Sequence, residues 1–400
     1  MRFKKKMKEF NLPIEKLNRN EKVNICILGG GNIGTLLMAD LSQDKRVSVR
    51  LLTTNPAKWC KVIEVYNKNE NIEFTGKLDI VSNNPADVIP DADIIISTVP
   101  SHAFFDILNR IEVFIKEGAW VGIMPGSGGC EFYLKKLIER NCIIFGFQRV
   151  HGIARIKTYG KSVYNLGKKN ELYIASIPSE MSSIVANVIE SFIRIKCTPL
   201  TNYLAVTLTP SNPILHTSRL FSLFGNKPKD YIWENELEFY CDWTDADSQV
   251  LFACDDELQK FCNAIKDIDL SAVKSLKDHY ESYSIKEMTG KIKSIPAFRG
   301  IKAPMVSKKH GFAPDYGSRY FIEDFPYGLC IIKSFCYISK IDTPMIDQIL
   351  GWFENLYDLE YFINSEFIGK DLAKLPIPQN HGIYSIEDII RYYTDCNLTY

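Results

Sequence analysis

The clearest chemical signal in the sequence is a G-x-G-x-x-G motif at residues 29–34, directly after a short apolar run and at the start of a helical pattern. In that setting Gly29 permits a tight turn, Gly31 lets backbone N–H groups reach a pyrophosphate, and Gly34 lets the helix pack closely on the strand. The helix N-terminus adds partial positive charge for the phosphates. A glycine-rich turn without a ligand is the alternative, which this setting disfavours. The predicted dinucleotide-binding residues of the motif are Gly29, Gly30, Gly31, Asn32, Ile33 and Gly34.

The segment after the second predicted strand bears on the choice between NAD and NADP. An acidic residue at the end of that strand would hold the ribose hydroxyls of NAD and repel the 2′-phosphate of NADP. The sequence has hydroxyls, an amide and a cation there instead, and this favours NADP. NAD is the alternative if these side chains only cap the next turn. The predicted residues are Thr53, Thr54, Asn55 and Lys58.

Two loops follow later predicted strands, at the carboxyl ends where ligands bind in open α/β sheets. Val99 and Pro100 belong to the first loop and are assigned to the cofactor site. His102, in the same loop, is given no catalytic role. The second loop, residues 125–129, contains three glycines, so its backbone can come close to the nicotinamide or the substrate.

Reduction of a carbonyl or imine by hydride also needs a proton donor, a group that orients it and a cation for a substrate carboxylate. His216 follows the predicted connection between two domains and carries a side chain suited to proton transfer. A structural histidine is the alternative. Arg319 and Asp324 lie among apolar and aromatic residues, as charged groups of a partly buried site do. They also fit a structural ion pair, for which Glu323 is an equally available partner of Arg319.

The elements that position these residues differ between the two halves of the chain. From residue 23 to about residue 195, short apolar runs alternate with longer helical patterns, which is typical of a parallel α/β sheet. This half is therefore predicted to be a Rossmann-type, doubly wound parallel sheet. The predicted strands are residues 23–28, 47–52, 93–99, 120–124, 142–147 and 172–177.

The second half has mostly helical patterns, such as one around Leu251, Leu258 and Phe261 and another from residue 345 to about residue 362. Prolines make residues 294–316 an irregular stretch of the kind that is usually functional or mobile. We therefore predict an all-α substrate domain behind the α/β domain. The predicted segments are an extension at residues 1–21, a dinucleotide-binding domain at residues 22–200 and the helical domain at residues 201–400.

The composition argues against several classes of protein. Lys+Arg and Asp+Glu number 48 each, so the chain lacks the basic field of a nucleic-acid binder. No apolar run reaches the length of a membrane span, and the N-terminus lacks the apolar region of a signal peptide. The 11 cysteines are scattered without the paired spacing of metal or redox sites, which favours a cytoplasmic protein with reduced thiols and no bound metal. Both a monomer and a homodimer fit the sequence.

Several motifs are distributed over residues 23–350. They are the G-x-G-x-x-G segment, the Pro-Gly-x-Gly-Gly loop at residues 125–129, Asn212-Pro213-x-x-His216, Ile-Pro-Ala-Phe-Arg-Gly at residues 295–300, Arg-Tyr-Phe-x-Glu-Asp-x-x-x-Gly-Leu at residues 319–329 and Thr-Pro-Met-Ile-Asp at residues 343–347. Their order and spacing resemble the opine dehydrogenase family, which includes octopine and nopaline dehydrogenases. The resemblance implies a Rossmann domain followed by an all-α domain, in agreement with the patterns above.

The resemblance also implies a reaction, the reductive condensation of an amino acid with a 2-oxo acid through an imine that NAD(P)H reduces. By position, His216 would be the proton relay, Asp324 would hold its imidazole in the useful tautomer, and Arg319 would bind a substrate carboxylate. Asn212 would help to shape the cleft that binds the substrates. The segment at residues 147–155, with its two arginines, matches no known specificity pattern and leaves both substrates unnamed.

Two other functions are weighed against this one. A 2- or 3-hydroxy acid dehydrogenase of similar build, such as a ketopantoate-reductase-like protein, would use a lysine where this chain offers His216 and Asp324. A non-catalytic dinucleotide sensor would need only the first domain and would have no use for Arg319.

Overall fold

The computed structural model describes residues 12–394 and divides them into two compact units. Unit 1 contains residues 12–207 and 391–394, and unit 2 contains residues 208–390. This division falls after the predicted boundary at residue 200, because the intervening segment is bonded to unit 1. The Tyr203 hydroxyl donates to Gly126 O at 3.1 Å, and the Gln148 side chain donates to Ala205 O at 2.8 Å.

Unit 1 is an α/β unit in which strands follow one another without an α-helix between residues 47 and 97 and between residues 143 and 177, and helices separate the other strands. Its helices are α1 Leu12–Asn18, α2 Asn32–Leu41, α3 Ser101–Ile111, α4 Lys135–Glu139, α5 Ser182–Ile193 and α6 Leu204–Thr207. Its strands are β1 Val23–Leu28, β2 Val47–Leu52, β3 Val62–Tyr66, β4 Ile72–Lys77, β5 Ile80–Ser82, β6 Ile94–Ser97, β7 Trp120–Ile123, β8 Ile143–Phe147, β9 Gly152–Thr158, β10 Ser162–Lys168, β11 Glu171–Ile177 and β12 Lys196–Pro199.

Part of the predicted extension is structured. Residues 1–11 lie outside the described residues. Helix α1 begins at Leu12, and Lys16 Nζ lies 2.8 Å from Oδ2 of the buried Asp93, which also pairs with Lys116. A buried carboxylate with two cationic partners fixes this helix to the sheet.

All six predicted strands lie in an eight-stranded sheet of order β12-β11-β8-β7-β6-β1-β2-β5. The Rossmann-type fold is confirmed, with one difference from a wholly parallel sheet. Strand β11 runs antiparallel to β8, whereas the pairs from β8 to β5 are parallel. A strand buried on both faces gives the same continuous apolar run in either direction, so the sequence pattern does not report its direction.

A second sheet, of order β4-β3-β10-β9, was not predicted. Its outer strand β4 is largely exposed, and only Gly76 of its six residues is buried. The sheet packs on α2 so closely that a Cβ at Gly76 would lie 2.4 Å from Ala39 Cα. Short, half-exposed strands carry too weak an alternation to be recognised without the helix that they cover.

Unit 2 is mostly helical, as predicted, and contains one β-hairpin. Thr244 and Asp247 form a capping box at the start of its longest helix, and three predicted apolar residues, Leu251, Leu258 and Phe261, are buried along it. The helices are α7 Pro213–Phe224, α8 Asp245–Ala264, α9 Leu276–Tyr280, α10 Ile285–Ser294, α11 Arg319–Ile322, α12 Cys330–Ile338 and α13 Pro344–Tyr357.

The description of this unit as all-α needs a correction. Within the stretch predicted to be irregular, β13 Met305–Lys308 pairs antiparallel with β14 Gly311–Pro314. Gly311 has φ +141, and a Cβ there would lie 2.1 Å from Trp233 O, so the turn requires glycine. Helix α13 also ends at Tyr357, before the predicted residue 362, because Asp358 adopts the left-handed conformation.

The last described helix, α14 Ile386–Thr394, ends in unit 1, where the Tyr393 hydroxyl donates to Glu131 at 2.8 Å. The chain was assigned to the helical domain as far as residue 400, and residues 391–394 correct that assignment. Within residues 12–394, no helix is long and apolar enough to cross a membrane. Ten cysteines of the same span have free thiols.

Candidate active site

Unit 1 contains a cleft of about 220 Å³ at the carboxyl ends of β1, β2 and β6. Ligands of open α/β sheets bind at this edge. The residues that line the cleft are Gly29, Gly30, Gly31, Leu52, Thr53, Thr54, Asn83, Val99, Ile107, Arg110 and Tyr159.

The glycine loop has the features that a pyrophosphate needs. Gly29 has φ +94, which a tight turn requires, and a Cβ on Gly34 would lie 2.1 Å from Gly29 O. A Cβ on Gly31 would meet no atom within 4 Å, so the backbone at this position faces open space beside the N-terminus of α2. These residues fit a bound dinucleotide: the helix end supplies N–H groups and partial positive charge, and no side chain fills the space in front of them.

Gly30 was predicted to lie against the dinucleotide, but it also lies against a side chain of the protein. A Cβ at this position would lie 2.1 Å from the Trp59 indole, which packs over the loop and makes an edge contact with Tyr159. The absence of a side chain at Gly30 therefore serves the packing of Trp59. The assignment of Gly30 to the cofactor site rests on the motif alone, and the motif holds no information on Trp59.

Other predicted cofactor residues do not line the cleft. The Asn32 side chain accepts a hydrogen bond from Ile156 N at 2.8 Å, so it joins α2 to β9. Asn55 precedes the short turn at Pro56–Lys58, in which Lys58 is exposed, and Pro100 precedes the first turn of α3. Ile33 is a partly buried residue packed against the core. Their assignment to the cofactor site stays a prediction.

Sequence reasoning missed five residues of the cleft, one of which is Leu52 at the end of β2. Ile107 and Arg110 lie one turn apart on α3, Asn83 follows β5, and Tyr159 follows β9. The Arg110 guanidinium donates to Asn83 O at 3.5 Å and is otherwise exposed on the cleft wall. The three-residue spacing of Ile107 and Arg110 was visible, but only the sheet order brings α3, β5 and β2 to one edge.

Unit 2 holds a histidine with both ring nitrogens engaged. His216 Nδ1 lies 2.8 Å from Asp324 Oδ2, and Nε2 lies 3.1 Å from the Tyr240 hydroxyl. The side chains of His216 and Asp324 are 14% and 13% exposed, so the pair is partly buried and still accessible. The structure thus brings together the two residues predicted to be catalytic, 108 positions apart in the chain.

Local structure explains how each member of this pair is placed. Asn212 precedes α7, and Pro213 is the first residue of that helix. His216 N donates to Asn212 O at 3.0 Å, so His216 belongs to the first turn of α7 and its imidazole projects from that turn. Asp324 directly precedes a single π-helical turn, Phe325–Leu329, which continues into α12. π-Helical turns are rare and often lie at functional sites.

Aromatic rings surround the imidazole. The centroid of Tyr320 lies 4.7 Å and that of Phe239 lies 5.7 Å from the His216 centroid, and Phe298 stacks on Tyr240 at 3.9 Å. Burial raises the pKa of Tyr240 well above its ordinary value, so its hydroxyl carries a proton. The sequence gave no reason to place Tyr240 on His216.

Arg319, at the start of α11, is exposed. It was weighed as a structural partner of Asp324 or Glu323, but within the described part of the chain its guanidinium makes no ion pair. A free cation next in sequence to Tyr320, which contacts His216, is available to a ligand. Asn212 is also exposed, and it directly precedes the first turn of α7, which carries His216.

Comparisons with known proteins agree with both units. Residues 199–357 match the family described as "NAD/NADP octopine/nopaline dehydrogenase, alpha-helical domain", and residues 24–131 match "NAD-dependent glycerol-3-phosphate dehydrogenase N-terminus". A tauropine dehydrogenase of Arabella iricolor is 26% identical over 92% of this chain and 100% of its own length. An opine dehydrogenase of Haliotis discus hannai is 27% identical over 92% and 99%, respectively.

The fold of the whole chain is shared with an octopine dehydrogenase solved with NADH and L-arginine, with a TM-score of 0.79 and 23% identity over 92% of this chain and 98% of that one. The fold and the two sites define an NAD(P)-dependent oxidoreductase that acts on CH–NH groups. The helical half of the chain matches the octopine/nopaline dehydrogenase family model, and nearly the whole chain is similar to proteins named opine and tauropine dehydrogenases.

Proposed function

We propose that this protein joins an amino acid to a 2-oxo acid by reductive condensation, as an opine dehydrogenase does, with His216, Asp324 and Arg319 as its site residues. The observation that carries the proposal is the His216–Asp324 pair, with Nδ1 and Oδ2 2.8 Å apart. Arg319, next in sequence to the Tyr320 ring that contacts His216, makes no ion pair with residues 12–394. A hydroxy-acid dehydrogenase that relies on lysine, or a sensor without catalysis, has no need of this combination.

The chemistry defines what the side chains must do. The amino group adds to the carbonyl carbon, water leaves to give an imine, and a hydride and a proton convert the imine to a secondary amine. Bound NAD(P)H supplies the hydride. The protein must therefore hold two carboxylates, exclude water and move a proton to the oxygen that leaves.

His216 is the proton relay in this proposal. The Asp324 carboxylate accepts Nδ1–H, so it holds the ring in one tautomer and stabilises the imidazolium when Nε2 is also protonated. Nε2 is then the position through which the proton enters and leaves the ring.

Arg319 binds a substrate carboxylate. Its planar guanidinium suits a bidentate contact with a carboxylate, and no ion pair with another described residue competes for it. Asn212, exposed at the start of the same helix as His216, contributes to the substrate site. The cofactor is held by the glycine loop and by Thr53, Thr54 and Val99.

We further propose that NADP is preferred to NAD and that Arg110 recognises its 2′-phosphate. Thr53 and Thr54 line the cleft where an acidic residue would reject NADP, and Arg110 contributes a guanidinium to the same wall. Lys58, the cation expected from the sequence, is exposed and does not line the cleft. A cytoplasmic location and a homodimer remain predictions, for which cell fractionation and sizing are the tests.

The reaction is tested by following the loss of NADPH or NADH absorbance with a matrix of 2-oxo acids against amino acids, each also supplied alone. Turnover that requires both partners supports the proposal and identifies the substrates. Turnover with a 2-oxo acid alone contradicts it in favour of a hydroxy-acid dehydrogenase.

The cofactor preference is tested by binding, with Arg110→Met against the matched control Lys58→Met. Loss of one charge-assisted contact to phosphate is expected to weaken NADPH binding about tenfold or more, whereas NADH binding changes little. Lys58→Met should leave the dissociation constants of both dinucleotides unchanged. Equal weakening of NADPH and NADH in Arg110→Met would contradict a 2′-phosphate contact.

A further inference from the structure

We infer that the Tyr240 hydroxyl is the group through which His216 exchanges its proton with the substrate, so that the relay runs Asp324–His216–Tyr240. The inference rests on the proposed function and adds to it a third proton-transfer residue. It follows from the contacts of the imidazole, from the protonation of the tyrosine and from the way in which unit 2 holds Tyr240.

An imidazole has two hydrogen-bonding positions, and both are occupied in this site. Asp324 Oδ2 lies 2.8 Å from Nδ1 and the Tyr240 hydroxyl lies 3.1 Å from Nε2. A carboxylate can only accept, so Nδ1 carries the hydrogen of the neutral ring, and Nε2 presents its lone pair to the Tyr240 O–H. A substrate atom can therefore reach Nε2 only by displacing Tyr240, or else it exchanges a proton through the phenol.

Displacement of Tyr240 is opposed by the groups that hold it. Phe298 stacks on its ring with centroids 3.9 Å apart and planes 12° from parallel. On the backbone side, Arg219 Nε donates to Phe239 O at 2.6 Å and its terminal nitrogen donates to Glu238 O at 3.2 Å. The two residues before Tyr240 are thus fixed by one guanidinium.

Arg219 is itself immobilised. Its side chain is 2% exposed, lies 2.7 Å from Asp247 Oδ2 and has the Trp243 ring 5.3 Å from its Cζ. Asp247 also belongs to the capping box with Thr244 at the start of α8. A buried charge with an ion partner, two carbonyl contacts and an aromatic neighbour is costly to move, so Tyr240 stays on His216.

The phenol can carry a proton without becoming an anion. Starting from the imidazolium, the Nε2–H bond breaks as the Tyr240 oxygen takes that proton. The former Tyr240 O–H proton passes at the same time to the carbonyl oxygen of the 2-oxo acid as the amine adds. The products are neutral His216, Tyr240 with its phenol proton restored, and a substrate that carries a hydroxyl and an ammonium nitrogen. The ammonium nitrogen then returns one proton to His216 through Tyr240, and the same relay delivers that proton to the hydroxyl. The hydroxyl leaves as water while the nitrogen lone pair forms the C=N bond of the protonated imine. Burial raises the pKa of Tyr240, which agrees with a phenol that is never left ionised.

The decisive variant is Tyr240→Phe, which keeps the ring on Phe298 and removes the hydroxyl. We expect kcat to fall about 100-fold or more, the scale of a lost proton-transfer group, while KM for both substrates and the NADPH dissociation constant change less than about threefold. Tyr357→Phe is the matched control, since it removes a hydroxyl that donates to Tyr316 O in the same unit and should leave kcat unchanged. A Tyr240→Phe enzyme with wild-type kcat overturns the relay.

A second measurement is independent of turnover. With ¹⁵N-labelled histidine, the Nε2 resonance of His216 should report an accepted hydrogen bond in the wild type and its loss in Tyr240→Phe. An unchanged resonance overturns the inference. If the substrate matrix fails and this resonance moves, the proposed reaction is wrong and the Tyr240 contact stands, which separates the two failures.

Arg219→Lys tests the holding contacts, because it keeps a charge beside Asp247 and shortens the reach to the two carbonyls. We expect a roughly 3- to 30-fold lower kcat and no further loss when it is combined with Tyr240→Phe, because both variants break the same relay. Multiplicative losses in the double variant would show that Arg219 acts apart from Tyr240 and would overturn this step.

Discussion

The cofactor cleft of unit 1 and the histidine site of unit 2 are built in opposite ways. The cleft is made chiefly of backbone: the glycine loop occupies six consecutive residues, and its central position faces open space. The histidine site is made of side chains, with His216 and Asp324 108 positions apart. A backbone site is damaged by an added atom, and a side-chain site is damaged by a lost functional group. The two sites should therefore respond differently to substitution.

The largest effect is expected at the side-chain site. His216→Ala should lower kcat by about 10³- to 10⁴-fold, because the acid–base group and its orienting carboxylate act as a unit. Asp324→Asn should approach the same loss, since the amide can present its N–H to Nδ1 and favour the wrong tautomer. The measurements are steady-state kinetics and an NADPH titration, and both variants should bind NADPH like the wild type. An unchanged rate in His216→Ala would remove His216 from the mechanism.

The backbone site should fail by the opposite change, at Gly34→Ala. The added Cβ would lie 2.1 Å from Gly29 O, so the turn or the helix must shift, at a cost of about 3 kcal/mol in the free energy of unfolding. Gly31→Ala is the matched control, because its Cβ meets no protein atom and should cost stability little while weakening dinucleotide binding. Urea unfolding and NADPH titration distinguish the two. Equal stabilities of the two variants would contradict the close packing at Gly34.

A smaller effect is expected on the pH dependence of the free energy of unfolding, through one buried carboxyl group in each unit. Burial raises the pKa of Glu131 in unit 1 to about 7 from 4.5, and it raises the pKa of Asp255 in unit 2 to about 7 from 3.8. Because the unfolded chain loses these protons at lower pH than the folded protein, ionisation destabilises the fold as the pH rises from about 4 to about 7. Glu131→Gln cannot ionise, and the amide can pair with the Thr207 and Tyr393 hydroxyls.

We therefore expect Glu131→Gln to gain about 3 kcal/mol in the free energy of unfolding, relative to the wild type, between about pH 4 and about pH 8. Asp255→Asn should follow the same trend, since its remaining oxygen can accept from Leu276 N. Denaturant unfolding at both pH values measures the gain. A difference between variant and wild type that does not depend on pH would contradict the raised pKa values.

The sequence could predict what depends on near neighbours. The glycine spacing, the apolar runs of the main sheet and the helical periodicity around Leu251 are local patterns, and the elements lie within a few residues of their predicted bounds. The position of Arg110 on the cleft wall could not be predicted in the same way, because it depends on α3 meeting β5 and β2 at one edge of the sheet. The second sheet was not predicted because its strands are half exposed, so their alternation of apolar and polar residues is weak. Their buried face is defined only by the helix α2 that they cover.

The histidine site shows the same limit. His216, Asp324 and Arg319 were identified by type and by family resemblance, but the sequence left open whether Arg319 pairs with a carboxylate of the protein. The structure distinguishes these possibilities. His216 is hydrogen-bonded to Asp324, and Arg319 makes no ion pair within residues 12–394.

By itself, the sequence determined the cofactor loop, the order of the two units and the residue types of the active site, because spacing along the chain fixes backbone turns and periodic faces. Only the tertiary structure decided the direction of β11, the walls of the cleft and the placement of Tyr240 on Nε2 of His216. These features arise from contacts between distant segments, whose geometry is set by packing and by the pairing of buried charges such as Arg219.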